Sequence, residues 1–400
     1  MMQIAPFSIA CLPHILFGEG RIAEIPAQVA TFGKRVLIIT GSQSFRATAH
    51  WQILQQGLRE QGISWETFTV QGEPSPDGID QAVKDYQNSS IEIVLGIGGG
   101  SVLDAAKAIA GLLPHGNSVM DHLEGVGKGI AYQGPATPFI AVPTTAGTGS
   151  EATKNAVLSR QDAEAGFKKS FRHESLVPQI AIVDPTLLAS CSPELLAANG
   201  MDAFTQLLES YVSSNANPLT DALAISGMTA FRDGFFKAWE NKEETVAQAG
   251  CSQLAYAALL SGITLAQTGL GSVHGLASPL GAYFPCPHGV VCGTLVAEAT
   301  DINIKALQER ASDNIALSKY ANVGTLLANR PLATQGKALN VLVELLRNWT
   351  KRLALPKLST YGMQTNNLDK VVANCRGGSM KTNPIVLTDA ELRELLQRRL

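Results

Sequence analysis

Residues 91–107 read Ile91-Glu-Ile-Val-Leu-Gly96-Ile-Gly98-Gly99-Gly100-Ser101-Val-Leu-Asp104-Ala-Ala-Lys107. Ile91 to Ile97 is an apolar run of strand length, and a helical stretch opens at about Ser101. A strand that feeds a helix through consecutive glycines is half of a βαβ unit. Glycines let the backbone approach a ligand closely, and the free N–H groups at a helix start attract an anion. A pyrophosphate is the natural guest. Ser101 and Asp104 have the spacing of a capping box, which marks the helix start. The third glycine of the common GxGxxG pattern is replaced here by Ser101, so a tight strand-to-helix turn without ligand also fits.

The same alternation extends on both sides of this segment. Arg35 to Gly41 reads as a buried strand, Thr48 to Glu60 as a helix closed by Gly62, Ile63 to Val70 as a strand, and Asp77 to Tyr86 as a helix. Phe139 to Val142 and Gln179 to Val183 read as further short strands. Strands alternating with helices predict an α/β unit with a mainly parallel sheet. A second loop, Pro143-Thr144-Thr145-Ala-Gly147-Thr148-Gly149-Ser150-Glu151, follows the strand ending at Val142 and leads toward a helix. In an open parallel sheet both loops lie at the carboxyl ends of strands, where ligands bind. The first strand ends in Gly41-Ser42-Gln43-Ser44. A carboxylate there would bind an adenosine ribose and repel a 2′-phosphate. Its absence points toward NADP(H).

Strand signals stop near Asp184-Pro185. Pro193 to Ser213, Pro218 to Asn241, Glu243 to Thr268 and Gln335 to Leu353 all carry helical spacing, and Asp389 to Arg398 forms a short terminal helix. The expected division is an α/β dinucleotide-binding domain over 1–188 and an all-helical domain over 189–400, which binds metal and substrate.

Composition restricts the function further. The 400 residues are 45% hydrophobic and 16% charged, with a net charge of -3, which gives no basic field for nucleic acid. No apolar run reaches the roughly 18–20 residues of a membrane span. The N-terminus lacks the basic start of a signal peptide, so a cytoplasmic location is expected. The six cysteines form no CxxC pair and fit reduced thiols; Cys286 and Cys292 read as small apolar core residues.

Candidate metal ligands lie in the second half. Asp202 and Gln206 are four apart and share a helix face. Val273-His274-Gly275-Leu-Ala-Ser278-Pro-Leu-Gly281-Ala-Tyr-Phe-Pro-Cys-Pro-His288-Gly289 supplies two of the seven histidines. One carboxylate and two imidazoles suit a catalytic divalent ion, although spacing cannot show that they converge. A capping Asp and two structural histidines fit the same spacing. His14, His50, His115, His122 and His173 lack such company.

GGGSVLDAAK, PTTAGTGSE, Asp184-Pro185, GMDAFTQLLESYVS and HGLASPLGAYFPCPHG occur in that order. Together they closely resemble the iron-dependent (group III) alcohol dehydrogenases over essentially the whole chain. The resemblance implies a dehydroquinate synthase-like fold, hydride transfer between NAD or NADP and a small alcohol or aldehyde, and a homodimer. It implies that Gly98, Gly99, Gly100 and Ser101 hold the pyrophosphate. Asp104 would shape that loop, Thr144, Thr145 and Thr148 would line the coenzyme, and Gly41 and Ser42 would sit at its adenosine end. Asp202, His274 and His288 match family metal ligands, with Fe or Zn as the ion.

Two positions depart from the family. Gln206 stands where a fourth histidine ligand is usual, and Ser278 where a histidine often transfers protons. Three readings follow: three ligands with an open position, as in glycerol dehydrogenases; Gln206 as a weak fourth ligand; or metal loss, as in maleylacetate reductases. Intact Asp202, His274 and His288 favour retained metal. A dehydroquinate synthase-type lyase and a degenerate binding protein are the competing classes.

Overall fold

The structure is a computed structural model and describes residues 5–240 and 243–400. The first half is built from β1 (His14–Phe17), α1 (Ile25–Ala30), β2 (Arg35–Gly41), α2 (Ala49–Glu60), β3 (Ser64–Val70), α3 (Pro76–Tyr86), β4 (Ile93–Gly98), α4 (Gly100–Leu112), β5 (Phe139–Pro143), β6 (Asn155–Arg160), β7 (Phe167–Arg172) and β8 (Ile180–Val183). Six strands form one parallel sheet in the order β1-β8-β5-β4-β2-β3.

Alternation along the strands decides the layers. Leu37, Ile39, Val94 and Ala141 pack with residues of α3 and α4 on one face. Val36, Ile38, Ile93, Leu95, Ile97, Ile140 and Val142 pack with residues of α1 and α2 on the other. Both faces are therefore covered, which is why these strands read as unbroken apolar runs. The chain runs outward from β2 to β3, then crosses back to place β4 on the other side of β2. That reversal opens a crevice beyond the carboxyl ends of β2 and β4, the usual ligand position in such sheets.

Three strands escaped the sequence reading. β1 is a four-residue edge strand paired with β8, about 165 residues away, and has no local signal. β6 and β7 form an antiparallel hairpin whose Lys168, Lys169 and Arg172 hide its strand character. The capping box expected from Ser101 and Asp104 does not form. Gly99 is the N-cap of α4 without a side-chain cap, and Asp104 turns to other partners. The PTTAGTGSE loop leads only to a three-residue 3-10 turn, Ser150–Ala152.

The second half contains α5 (Pro193–Val212), α6 (Pro218–Glu240), α7 (Glu244–Thr268), α8 (Ser272–Tyr283), α9 (His288–Arg310), α10 (Ile315–Ala328), α11 (Gln335–Arg352), α12 (Leu368–Asn374) and α13 (Asp389–Gln397). Its described residues form helices and short 3-10 turns and no strand. The expected end of α6 at Asn241 lies outside the described residues. α5 runs through the centre, buried at every position from Gly200 to Val212, and packs against α6, α7 and α9. Contrary to the sequence expectation, α7 is long and apolar enough by composition to cross a membrane. Yet 67% of its apolar window is buried against neighbouring helices, as suits a core helix.

Candidate active site

The two glycine-containing loops meet. β4 and β5 are adjacent, with Gly98 opposite Pro143, and Thr144 N–H donates to the Gly98 carbonyl at 3.0 Å. A Cβ on Gly99 would come within 3.1 Å of the Thr145 side chain, and one on Gly100 within 2.6 Å of Thr148. No side chain longer than hydrogen fits at Gly100 while Thr148 stays in place. Gly41 ends β2 beside this junction, where an added Cβ would touch Val102 at 3.9 Å. Ser42 follows it, exposed.

A buried ion pair ties the loops together. Lys107 is fully buried, and its Nζ donates to Ser150 Oγ (2.6 Å), Thr153 Oγ1 (2.9 Å) and the Asn155 carbonyl (2.8 Å). Asp104 Oδ1 lies 3.5 Å from Lys107 Nζ and accepts from Ser150 Oγ at 2.6 Å. Burial pushes the Asp104 carboxyl up and the Lys107 ammonium down, and their mutual attraction opposes both shifts. Asp104 thus anchors α4 to the second loop, which in turn docks on the helical half. An added Cβ on Gly149 would sit 2.3 Å from Gly262 Cα, so the loop backbone rests directly on α7.

Asp202 lies mid-way along α5, His274 in the first turn of α8, and His288 at the start of α9. The structure brings them together, and Cys292 joins them: one donor atom from each of the four lies within 4.8 Å of the others. His274 Nε2 is 3.2 Å from Asp202 Oδ1, and His288 Nε2 is 3.7 Å from the same oxygen. Cys292 Sγ is 3.5 Å from His274 Nε2 and 3.8 Å from His288 Nε2. His288 and Cys292 are four apart on α9 and so share a face. The His288 side chain is 28% exposed, against 5% for His274 and 1% for Asp202, so access runs past His288.

Electrostatics prepare these donors. Burial acts against the Asp202 carboxylate, but His288 and His274 outweigh it and lower its pKa. Burial also depresses His288, with Lys168 and His274 adding to the effect against the pull of Asp202. His274 Nδ1 lies 2.7 Å from Glu209 Oε2. A carboxylate only accepts, so Nδ1 carries a proton toward Glu209, while Nε2, 3.2 Å from the Asp202 carboxylate, is the nitrogen at which an ion would take the place of a proton. Glu209 also accepts from Val273 N–H at 2.7 Å, capping α8. The donor chemistry and the fixed tautomer fit a divalent metal ion.

Gln206 is oriented away from that task. Its Oε1 accepts from Ser261 Oγ at 2.7 Å, and its Nε2 points toward Asp202 Oδ1 at 3.4 Å. The Gln206 oxygen expected as a weak fourth donor thus faces Ser261, and its nitrogen faces the cluster. The Ser261 hydroxyl, which has one proton to give, also lies 2.7 Å from the Ala258 carbonyl and 3.4 Å from the Gly147 carbonyl, so Gln206 and Ser261 stand between Asp202 and the second glycine loop. Ser278 is on α8 one turn beyond His274, and its hydroxyl donates to the Lys168 carbonyl at 3.1 Å. Lys168 Nζ pairs with Glu73 at 2.5 Å.

Glu209, Cys292, Lys107 and Ser261 were not singled out from sequence. Glu209 lies seven residues after Asp202 on α5, and Cys292 four after His288. Both spacings point to one face, but the second becomes legible only once α9 is known to begin at His288. Cys286 and Cys292 are both buried core thiols as expected, and Cys292 is in addition part of the cluster.

The model of the iron-containing alcohol dehydrogenase family matches residues 13–185, and that of its C-terminal region matches residues 196–400. The chain belongs to the iron-containing alcohol dehydrogenases. The NAD-dependent methanol dehydrogenase of Bacillus methanolicus is 28% identical over 97% of this chain and 98% of its own length. Alcohol dehydrogenase 4 of Schizosaccharomyces pombe is 33% identical over 74% of this chain and 69% of its own. The iron-containing alcohol dehydrogenase structure from Thermotoga maritima superposes with a TM-score of 0.82 at 28% identity, covering 99% of both chains. This alcohol dehydrogenase therefore has the fold and the class of activity that its motifs imply, and the lyase alternative gives way.

Proposed function

We propose that this alcohol dehydrogenase transfers hydride between NAD(P) and a small alcohol or aldehyde beside a divalent ion held by Asp202, His274 and His288. The observation that carries the reading is their convergence, with Cys292, inside 4.8 Å, with Gln206 and Ser261 packed between them and the second glycine loop. When bound, the ion supplies a Lewis acid for the alcohol oxygen and the nicotinamide takes the electron pair. The chain supplies orientation. Gly98, Gly99, Gly100 and Ser101 offer a close backbone and free N–H groups to the pyrophosphate. Thr144, Thr145 and Thr148 line the same crevice. Glu209 holds the His274 tautomer, which supports retained metal over the maleylacetate reductase type.

Ser278 directs its one proton to the Lys168 carbonyl. Its part in this reading is to hold β7 against α8 and leave a small wall, with water as the proton carrier. The adenosine end favours NADP(H). Besides the missing carboxylate at Gly41-Ser42, Arg46 Nε donates to Thr40 Oγ1 at 2.8 Å, and its Nη2 is buried without a partner. A guanidinium there suits a 2′-phosphate. The family resemblance supports a homodimer, and six unpaired cysteines suit a cytoplasmic location. The direct test is a panel of short alcohols and aldehydes with both coenzymes. Coenzyme turnover that depends on an alcohol is expected; none with any member would contradict the reading.

A further inference from the structure

We infer that Cys292 supplies a thiolate ligand to the ion, completing a donor set of Asp202, His274, His288 and Cys292 in place of Gln206. The inference rests on the metal-site reading above and deepens it. Three observations carry it. First, Sγ lies as close to the two imidazole Nε2 atoms, 3.5 and 3.8 Å, as donors around a shared ion must. Among the described residues these four are the one group of His, Cys, Asp and Glu side chains that meets this condition. Second, Gln206 cannot serve without giving up its bond from Ser261, and turning its oxygen inward would aim it at the Asp202 carboxylate. Third, charge decides between the two. Asp202 is the one anion among the three that would touch the ion, since Glu209 acts only through His274, so a divalent ion and these three ligands together carry one positive charge in a largely buried site. A thiolate cancels it, whereas an amide does not.

Ligation replaces the S–H bond of Cys292 with a sulfur–metal bond, and the thiol proton leaves to solvent. No oxidant or reductant takes part. A soft sulfur donor also moves the site's preference toward Zn²⁺ and away from Fe²⁺, relative to a set of nitrogen and oxygen alone.

Co²⁺ is the probe, because thiolate ligation gives an intense near-ultraviolet charge-transfer band that imidazole and carboxylate do not. Full-length protein freed of metal by chelator and titrated with Co²⁺ should take up one ion per chain and develop the band. Cys292→Ser should still bind Co²⁺, about tenfold or more weakly, without the band. Since the band is read on the wild-type chain, misfolding of the variant does not remove the test. Co²⁺ bound without the band overturns thiolate ligation but leaves the metal site standing. A band that persists in Cys292→Ser, with native circular dichroism, also overturns it. No Co²⁺ uptake at all overturns the metal site and this inference together.

Discussion

Gln206 receives a 2.7 Å hydrogen bond from Ser261 on its amide oxygen while its amide nitrogen faces Asp202. The orientation follows from chemistry: a carboxylate has no proton to give, so the N–H side must face it. Gln206 is thus a strut between α5 and α7. Replacing it with Ala should change Co²⁺ affinity by less than about threefold, since no donor is lost. It should lower stability by about 1–3 kcal/mol, because a buried hydrogen-bond network is broken. A Co²⁺ affinity loss as large as that of His288→Ala would show that Gln206 is a ligand after all.

Glu209 acts through His274. Glu209→Gln keeps the shape but removes the charge that raises the basicity of the imidazole. Metal affinity should fall about 10–100-fold and kcat with it. Isothermal titration with Zn²⁺ would measure this, and unchanged affinity would remove Glu209 from the account. Glu209→Ala should also reduce thermal stability, because the Val273 N–H at the start of α8 loses its acceptor.

Lys107 stabilises the coenzyme loops from behind. Lys107→Met leaves the buried Asp104 without its cation and should cost about 3–5 kcal/mol. The coenzyme KM should rise as the loops separate. Adding Asp104→Asn should recover part of the loss, which a double-mutant cycle of denaturant unfolding would quantify. Strict additivity of the two changes would mean that the pair does not interact.

Glu151 gives the fold a pH dependence. Burial lifts its carboxyl to about 7, with Lys107 opposing. A carboxyl raised from 4.5 stays protonated in the folded chain while it ionises in the unfolded one. Its contribution is therefore complete below about pH 4.5 and is lost as pH rises to about 7, on the order of 3 kcal/mol. Thermal melts across this window should show a decline that Glu151→Gln flattens. An equal decline in the variant would assign it to other groups.

Arg46 tests the coenzyme reading. Arg46→Ala should reduce kcat/KM for NADP⁺ about tenfold or more and leave NAD⁺ nearly unchanged. Equal losses with both coenzymes would mean that Arg46 serves the fold alone.

Much of this architecture was legible in the sequence because local signals and tertiary outcome agree. The apolar run before Gly98 had to be buried on both faces, and the helical spacing after Pro193 had to form helices. What remained hidden is set by long-range pairing. β1 is a strand only because β8 lies beside it. Asp104 had capping spacing, yet the pull of Lys107 and Ser150 was stronger than the helix end. At the site, residue types identified Asp202, His274 and His288 as candidates, but not their convergence. Cys292 reads as a core thiol and is one; its place beside His274 and His288 shows only in the fold.

The central claim is that Asp202, His274 and His288 meet at one metal ion on which turnover depends. Elemental analysis of protein purified without chelator, paired with alcohol-dependent NAD(P)⁺ reduction, tests it most directly. The account predicts about one divalent ion per chain, with metal and activity lost together in Asp202→Ala and His288→Ala and restored together when Zn²⁺ or Fe²⁺ is returned to chelated wild type. Full activity in metal-free protein would contradict it.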